Sequence, residues 1–169
     1  MKKFFCFLLL LFAFNHLKAQ DIPVNYTLES PEDFRRYEKN VISGIRWLEE
    51  NPRGSQKENR RNAEDFLVKW IYGCPYVKVI IEPYVMKLSG RNADLLLSFM
   101  FGYTLYQLDH LDNKNLVTAN VAGLNMLLAD YKANINALKK DSAIEQLFEI
   151  QTSEGLAEWI RPKLGNVAD

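Results

Sequence analysis

The sequence predicts an all-α protein: about six or seven antiparallel helices in a bundle, or a short stack of helical hairpins, around a buried central helix. Three observations carry this. The run from Ala93 to Leu108 is apolar on nearly every side, as a helix enclosed by its neighbours must be. The run from Leu116 to Leu138 carries an apolar seam of Val117, Val121, Leu124, Leu128, Tyr131, Ile135 and Leu138, spaced 4, 3, 4, 3, 4 and 3. Further stripes at helical spacing lie on both sides of this pair, and only one short stretch has strand chemistry.

The chain begins with Met1-Lys2-Lys3 and an unbroken apolar run from Phe4 to Phe14. A polar patch follows, then Leu17-Lys18-Ala19 before Gln20. A positive start, a short apolar run and a small residue at the boundary are the pattern of a secretory signal peptide, here residues 1–19. The run is shorter than the roughly 20 apolar residues a membrane span needs. This leader resembles those of exported proteins of Gram-negative bacteria, and the resemblance implies a periplasmic or extracellular mature protein. Residues 20–29 read as an extended linker, 30–164 as a single helical domain and 165–169 as a polar tail.

Ser30-Pro31-Glu32-Asp33 reads as a helix start: a cap, a proline at the first turn and an acid three residues after the cap. The stripe Phe34, Tyr37, Val41, Ile45 and Leu48 then predicts one amphipathic helix, stopped by Asn51-Pro52-Arg53-Gly54. A second helix is expected from Gln56 to Tyr72. Its charged first half, Lys57 to Asn62, reads as a solvated face, and Gly73 and Pro75 end it. Tyr76 to Ile81 is β-branched and aromatic, yet nothing else in the chain could pair with it. An extended connector or an irregular helical turn is the expectation. Asn92 reads as the cap of the central helix. Gly102 in mid-helix costs about 1 kcal/mol in propensity, which predicts close approach of a neighbour. Asp141-Ser142 and Thr152-Ser153 open two short final helices.

The hairpin from Ala93 to Tyr131 resembles a tetratricopeptide unit in having Gly102 mid-helix and Ala122 and Ala129 on its second helix. It departs from that repeat in period, in its missing proline and in its long turn. The resemblance therefore implies a way of stacking helices, not a family.

The chemistry on offer is thin. The chain has 21 basic and 21 acidic residues, and removal of Lys2, Lys3 and Lys18 leaves a balance of −3. A mildly acidic body lacks the basic stripe that nucleic acid requires. Beyond the leader there is one cysteine, Cys74, and one histidine, His110, so neither an intramolecular disulfide nor a zinc centre is expected. Asp109-His110-x-Asp112-Asn113 lacks the alternation and glycine of a calcium loop. No phosphate loop or dinucleotide fingerprint is present. Glu145 with Glu149, and Glu154 with Glu158, have the spacing of paired carboxylates but also that of an ordinary solvated face.

No catalytic residue, metal or cofactor is therefore expected. The sequence predicts a non-enzymatic exported protein that binds a protein or peptide partner on a helical surface. The alternative is a small-molecule or lipid carrier with a pocket at the central hairpin lined by Phe99, Tyr103 and Tyr106, because tyrosine hydroxyls on an apolar helix need partners or a wet pocket. A hydrolase using Cys74 with His110, or a carboxylate pair, is a third reading.

Overall fold

The structure, a computed structural model, describes residues 22–112 and 115–165. The expected signal peptide and all but Gly165 of the expected tail lie outside the described residues. The fold is all-α, as the periodicity predicts. Eight α-helices occur among the described residues: α1 (Pro31–Arg36), α2 (Glu38–Glu50), α3 (Lys57–Gly73), α4 (Pro83–Ser89), α5 (Leu95–Asp109), α6 (Leu116–Ala133), α7 (Ser142–Leu147) and α8 (Ser153–Ile160). Single 3₁₀ turns follow α7 and α8.

The predicted helix over the first stripe is divided at Tyr37. Ser30 and Asp33 form the expected capping box. The break has a local cause: the Trp70 indole N–H donates to the Phe34 carbonyl at 3.0 Å. That carbonyl would otherwise accept from Glu38 in a continuous helix. The stripe survives the bend, since Phe34, Val41, Ile45 and Leu48 are all buried. The preceding linker is extended but not free. Ile22, Tyr26 and Leu28 pack on the same core, with Tyr26 edge-on to Phe66 at 4.9 Å.

Gly73 is the last residue of α3, not a stop beyond it. A Cβ there would lie 2.7 Å from the Phe34 ring, so the glycine admits a close crossing. Arg60 departs from the solvated face expected of this helix. It is buried and donates to the Leu48 and Asn51 carbonyls at the end of α2.

Tyr76 to Ile81 is an extended connector with no strand partner among the described residues. Its backbone need is met by a side chain: the Gln107 amide accepts from the Lys78 N–H at 2.7 Å and donates to the Lys78 carbonyl at 3.1 Å. Asn92 does not cap the central helix. It plays the same part for Lys139, with two bonds of 2.8 Å, and the residue before α5 is Asp94, which makes no capping bond.

The helices α5 and α6 form the hairpin at the centre. Gly102 lies where a Cβ would press on the Ala122 carbonyl and stand 2.9 Å from the Met126 Cβ. On α5, Leu95, Phe99 and Tyr103 face a core shared with α4, α6, α7 and α8, while Met100 and Phe101 face a second core built by α1, α2 and α3. The second arm differs from the one-sided helix expected. Besides the seam, Ala119, Asn120, Gly123, Met126 and Leu127 are buried, so α6 is enclosed almost as fully as α5. It ends at Ala133, before the seam does, and Ile135 is exposed.

Candidate binding groove

Where α2 crosses the central hairpin, its outer face leaves an open seam. Ile42, Arg46 and Glu49, spaced 4 and 3, form one wall. The floor is low because Gly102, Ala122 and Ala129 carry little or no side chain. Leu105, Tyr106 and His110 of the first arm close the far end. The resulting groove has a volume of about 680 Å³. Its rim is polar and largely self-satisfied. Arg46 and Glu49 pair at 2.8 Å. His110 stacks on Tyr106, with ring centroids 4.3 Å apart, and its Nδ1 lies 3.0 Å from the Tyr106 carbonyl. Ile42 is 40% exposed at the edge, more than a large aliphatic side chain needs to be on a packed helix.

A second, deeper cavity of about 220 Å³ opens off the first at Glu49, Met126 and Ala129. Its apolar lining comes from Ile45, Leu48, Phe101 and Ala133, and Glu49, Arg60, Ser98, Asp130 and Asn134 supply its polar groups. The loop between α2 and α3 reaches this end of the groove. Gly54 (φ 94°) and Gln56 (φ 44°) turn the loop through left-handed backbone, a conformation that a residue with a Cβ, such as Gln56, adopts only at a cost. The turn places Arg53 against the hairpin. Its guanidinium bonds Asp130 at 2.6 Å and Asp94 at 3.0 Å, and its backbone N–H donates to Asn134 at 2.7 Å. Burial works against the Arg53 charge, but Asp130 and Asp94 more than offset it and hold its pKa above the usual value.

Of the three residues expected to line one pocket, Phe99 and Tyr103 are ring neighbours, with centroids 6.0 Å apart, but Tyr103 and Tyr106 border different hollows. Phe99 is buried against Gly123 in the solid interior of the hairpin. Tyr103 is also buried. It borders a different hollow, of about 530 Å³, beside Tyr76, Lys78 and Ile80. Burial pushes its hydroxyl up to about 12. Only Tyr106, half-buried, reaches the groove. Between the arms of the hairpin, Phe99 fills the space that Gly123 leaves.

The catalytic candidates have structural occupations. Cys74 is buried, which pushes its thiol pKa up, and the Tyr76 and Val77 backbone amides lie beside it. His110 sits at the exposed end of α5. Glu145 accepts from the Tyr131 hydroxyl at 3.3 Å, while Glu149, Glu154 and Glu158 are exposed. Among the described residues no three of His, Cys, Asp or Glu converge on a point where a metal ion could be held.

The groove residues on α2 were not singled out by the sequence. Ile42 lies off the apolar stripe of its helix, and an aliphatic residue there was the available signal. Arg60 had none, since it stands among Glu58, Asn59 and Arg61 and looks like them. Compared with known proteins, the chain matches no family model, no curated protein and no solved structure.

Proposed function

We propose that this is an exported, non-enzymatic helical protein that binds a segment of a protein or peptide partner in the groove between α2 and the α5–α6 hairpin. One observation carries the reading: the groove pairs an open, shallow apolar floor with a rim that carries one ion pair, Arg46 with Glu49, and one exposed carboxylate, Asp109. Such a surface offers contact area and few groups poised for chemistry. The floor suits an extended or helical segment laid along it better than an enclosed ligand, and helix-in-groove recognition works in this way. Export rests on the leader, residues 1–19, and intact-mass measurement of the secreted chain would give Gln20 as its first residue.

A displayed library of random peptides, selected against the full mature chain, tests the binding reading. Peptides that enrich on the protein and lose binding to Asn125→Trp, which fills the groove from its α6 side, support it. No enrichment, or enrichment indifferent to Asn125→Trp, overturns it.

A further inference from the structure

We propose that the outer edge of the connector after α3 is an interface at which a second copy of this chain adds as an antiparallel strand. The connector has every property of a strand except a partner. Tyr76 to Ile81 is rich in β-branched residues and its backbone is extended. Its side chains alternate as a strand's do. Val77 is buried, and Val79 and Ile81 pack on the core. Lys78 is exposed between them, and Ile80 is 46% exposed.

The hydrogen bonds show which edge is open. Successive residues of a strand send their N–H and C=O groups to opposite edges. The Gln107 amide takes both Lys78 groups, and the Tyr103 hydroxyl lies beside the Ile80 N–H, so that edge runs along α5. Val79 and Ile81 present their groups to the other edge. None of these four groups has a hydrogen-bond partner among the described residues. Unpaired backbone groups are rarely shut inside a protein, so this edge meets water or another chain. A row of alternating donors and acceptors is matched by extended backbone and not by a point charge. Pro75 and Pro83 stand at its two ends, and neither has an N–H to lengthen it.

Charge complementarity identifies the occupant as the same sequence. In an antiparallel register that sets Ile80 opposite the partner's Ile80, Val79 exchanges two hydrogen bonds with the partner's Ile81, and Ile81 does so with the partner's Val79. All four open groups of each copy are then spent. On the outward face Lys78 stands opposite the partner's Glu82, and Glu82 opposite the partner's Lys78. Glu82 continues the extended backbone, with φ −75° and ψ 155°. Neither Lys78 nor Glu82 makes an ion pair among the described residues. The two Ile80 side chains cover each other between the two ion pairs. The arrangement is self-complementary, as a two-fold interface has to be. A register that sets Val79 opposite itself would face Lys78 with Ile80 and leave both charges unanswered. The interface shares no residue with the groove and does not rest on the reading of it.

One strand pair is smaller than a standard interface and gives a weak dimer, so sedimentation equilibrium of the full mature chain between about 10 µM and about 1 mM is the test. Twice the chain mass is expected at the upper end, with amide exchange at Val79 and Ile81 slowing as concentration rises. Lys78→Glu trades two attractions for two repulsions and raises the dissociation constant about tenfold, and Lys78→Glu combined with Glu82→Lys restores it. Ile80→Cys links two chains by disulfide exchange with oxidised glutathione, because Cα atoms of such a non-hydrogen-bonded pair lie about 4.5 Å apart. Ile135→Cys, exposed to a similar degree, reports chance collision. A chain that stays single at the upper concentration overturns the proposal. So does a dimer indifferent to Lys78→Glu, or one in which Ile80→Cys links no faster than Ile135→Cys. Slow exchange at Val79 and Ile81 in dilute, single chains overturns it too, because the edge would then be covered from within.

Discussion

Arg53 and Asp130 stand 77 residues apart in the chain and meet at 2.6 Å, with side chains only 12% and 14% exposed. The pair fastens the loop after α2 onto the last turn of α6. It thereby joins the layer of α1, α2 and α3 to the central hairpin at the end of the groove where the deeper cavity opens. Ser98, Asp94 and Asn134 complete the network, so neither charge is left in an apolar setting without partners.

Removing one member of such a pair strands the other. Arg53→Ala is expected to cost about 3 kcal/mol, because the Asp130 carboxylate stays buried with less than its full set of donors. The double replacement Arg53→Met with Asp130→Leu is expected to cost far less, about 1 kcal/mol, since no charge remains to be desolvated. Urea unfolding at pH 7 measures both, and a double variant no more stable than the single one would refute the account.

The Gln107 amide replaces a missing strand for the extended connector. Gln107→Leu removes an acceptor from the Lys78 N–H and a donor from its carbonyl. The expected loss is about 2 kcal/mol. Amide exchange at Lys78 should accelerate more than exchange in the middle of α3. Equal acceleration at both places would show a global effect and not the loss of this local pairing.

These two relationships mark where sequence reading stopped. Apolar periodicity depends on neighbours three and four residues apart, so the helices, their approximate ends and the buried hairpin could all be read. The mid-helix glycine could be read too, because its propensity cost needed a compensation. What lay beyond reach were polar side chains that satisfy distant backbone. Gln107 to Lys78, Asn92 to Lys139 and Trp70 to Phe34 each join residues 29 or more apart. Nothing near those residues in sequence marks them. The last of the three also divided the first helix. The groove was missed for a related reason: its walls come from α2 and α6, and only the fold sets them beside each other. The tyrosines on α5 were conspicuous by composition, yet the three expected pocket residues part company: Phe99 packs into the core, Tyr103 borders the hollow beside Lys78, and Tyr106 reaches the groove.

At Gly102 the backbones of α5 and α6 approach closely. Gly102→Ala improves helix propensity by about 1 kcal/mol, but its methyl would meet the Ala122 carbonyl and the Met126 Cβ. Backbone cannot yield as a flexible side chain does, so crowding wins and a net loss of about 2 kcal/mol is expected. Gly165→Ala, with nothing within 4 Å, serves as the control and should be neutral. Thermal unfolding of the two variants distinguishes a steric role from a purely conformational one.

Thr104 is buried, and its hydroxyl has no partner among the described residues. Thr104→Val removes an unsatisfied polar atom at nearly constant shape. It is expected to stabilise the protein by about 1 kcal/mol. A lower midpoint in urea for the valine variant would mean that the hydroxyl is bonded in solution.

The capping box gives the fold a pH dependence whose sign can be worked out. The Glu29 and Ser30 N–H groups donate to Asp33 Oδ2 at 3.2 and 3.1 Å, and these bonds, aided by Ser30 Oγ and Arg36, hold the carboxyl below its ordinary value. In the unfolded chain an aspartate titrates near about 3.9. A folded pKa below the unfolded one means that the unfolded state binds the proton more readily. The carboxylate's contribution is thus complete above pH 4 and is lost as pH falls through the folded pKa. Asp33→Asn keeps an acceptor but cannot ionise. Its stability relative to the parent should therefore be lowest near neutrality, with the gap narrowing below pH 4. Carboxyl NMR titration of Asp33, paired with urea melts between pH 3 and 6, checks both halves. A gap that stays constant across that range would show that the box holds α1 by geometry alone, with no part for the charge.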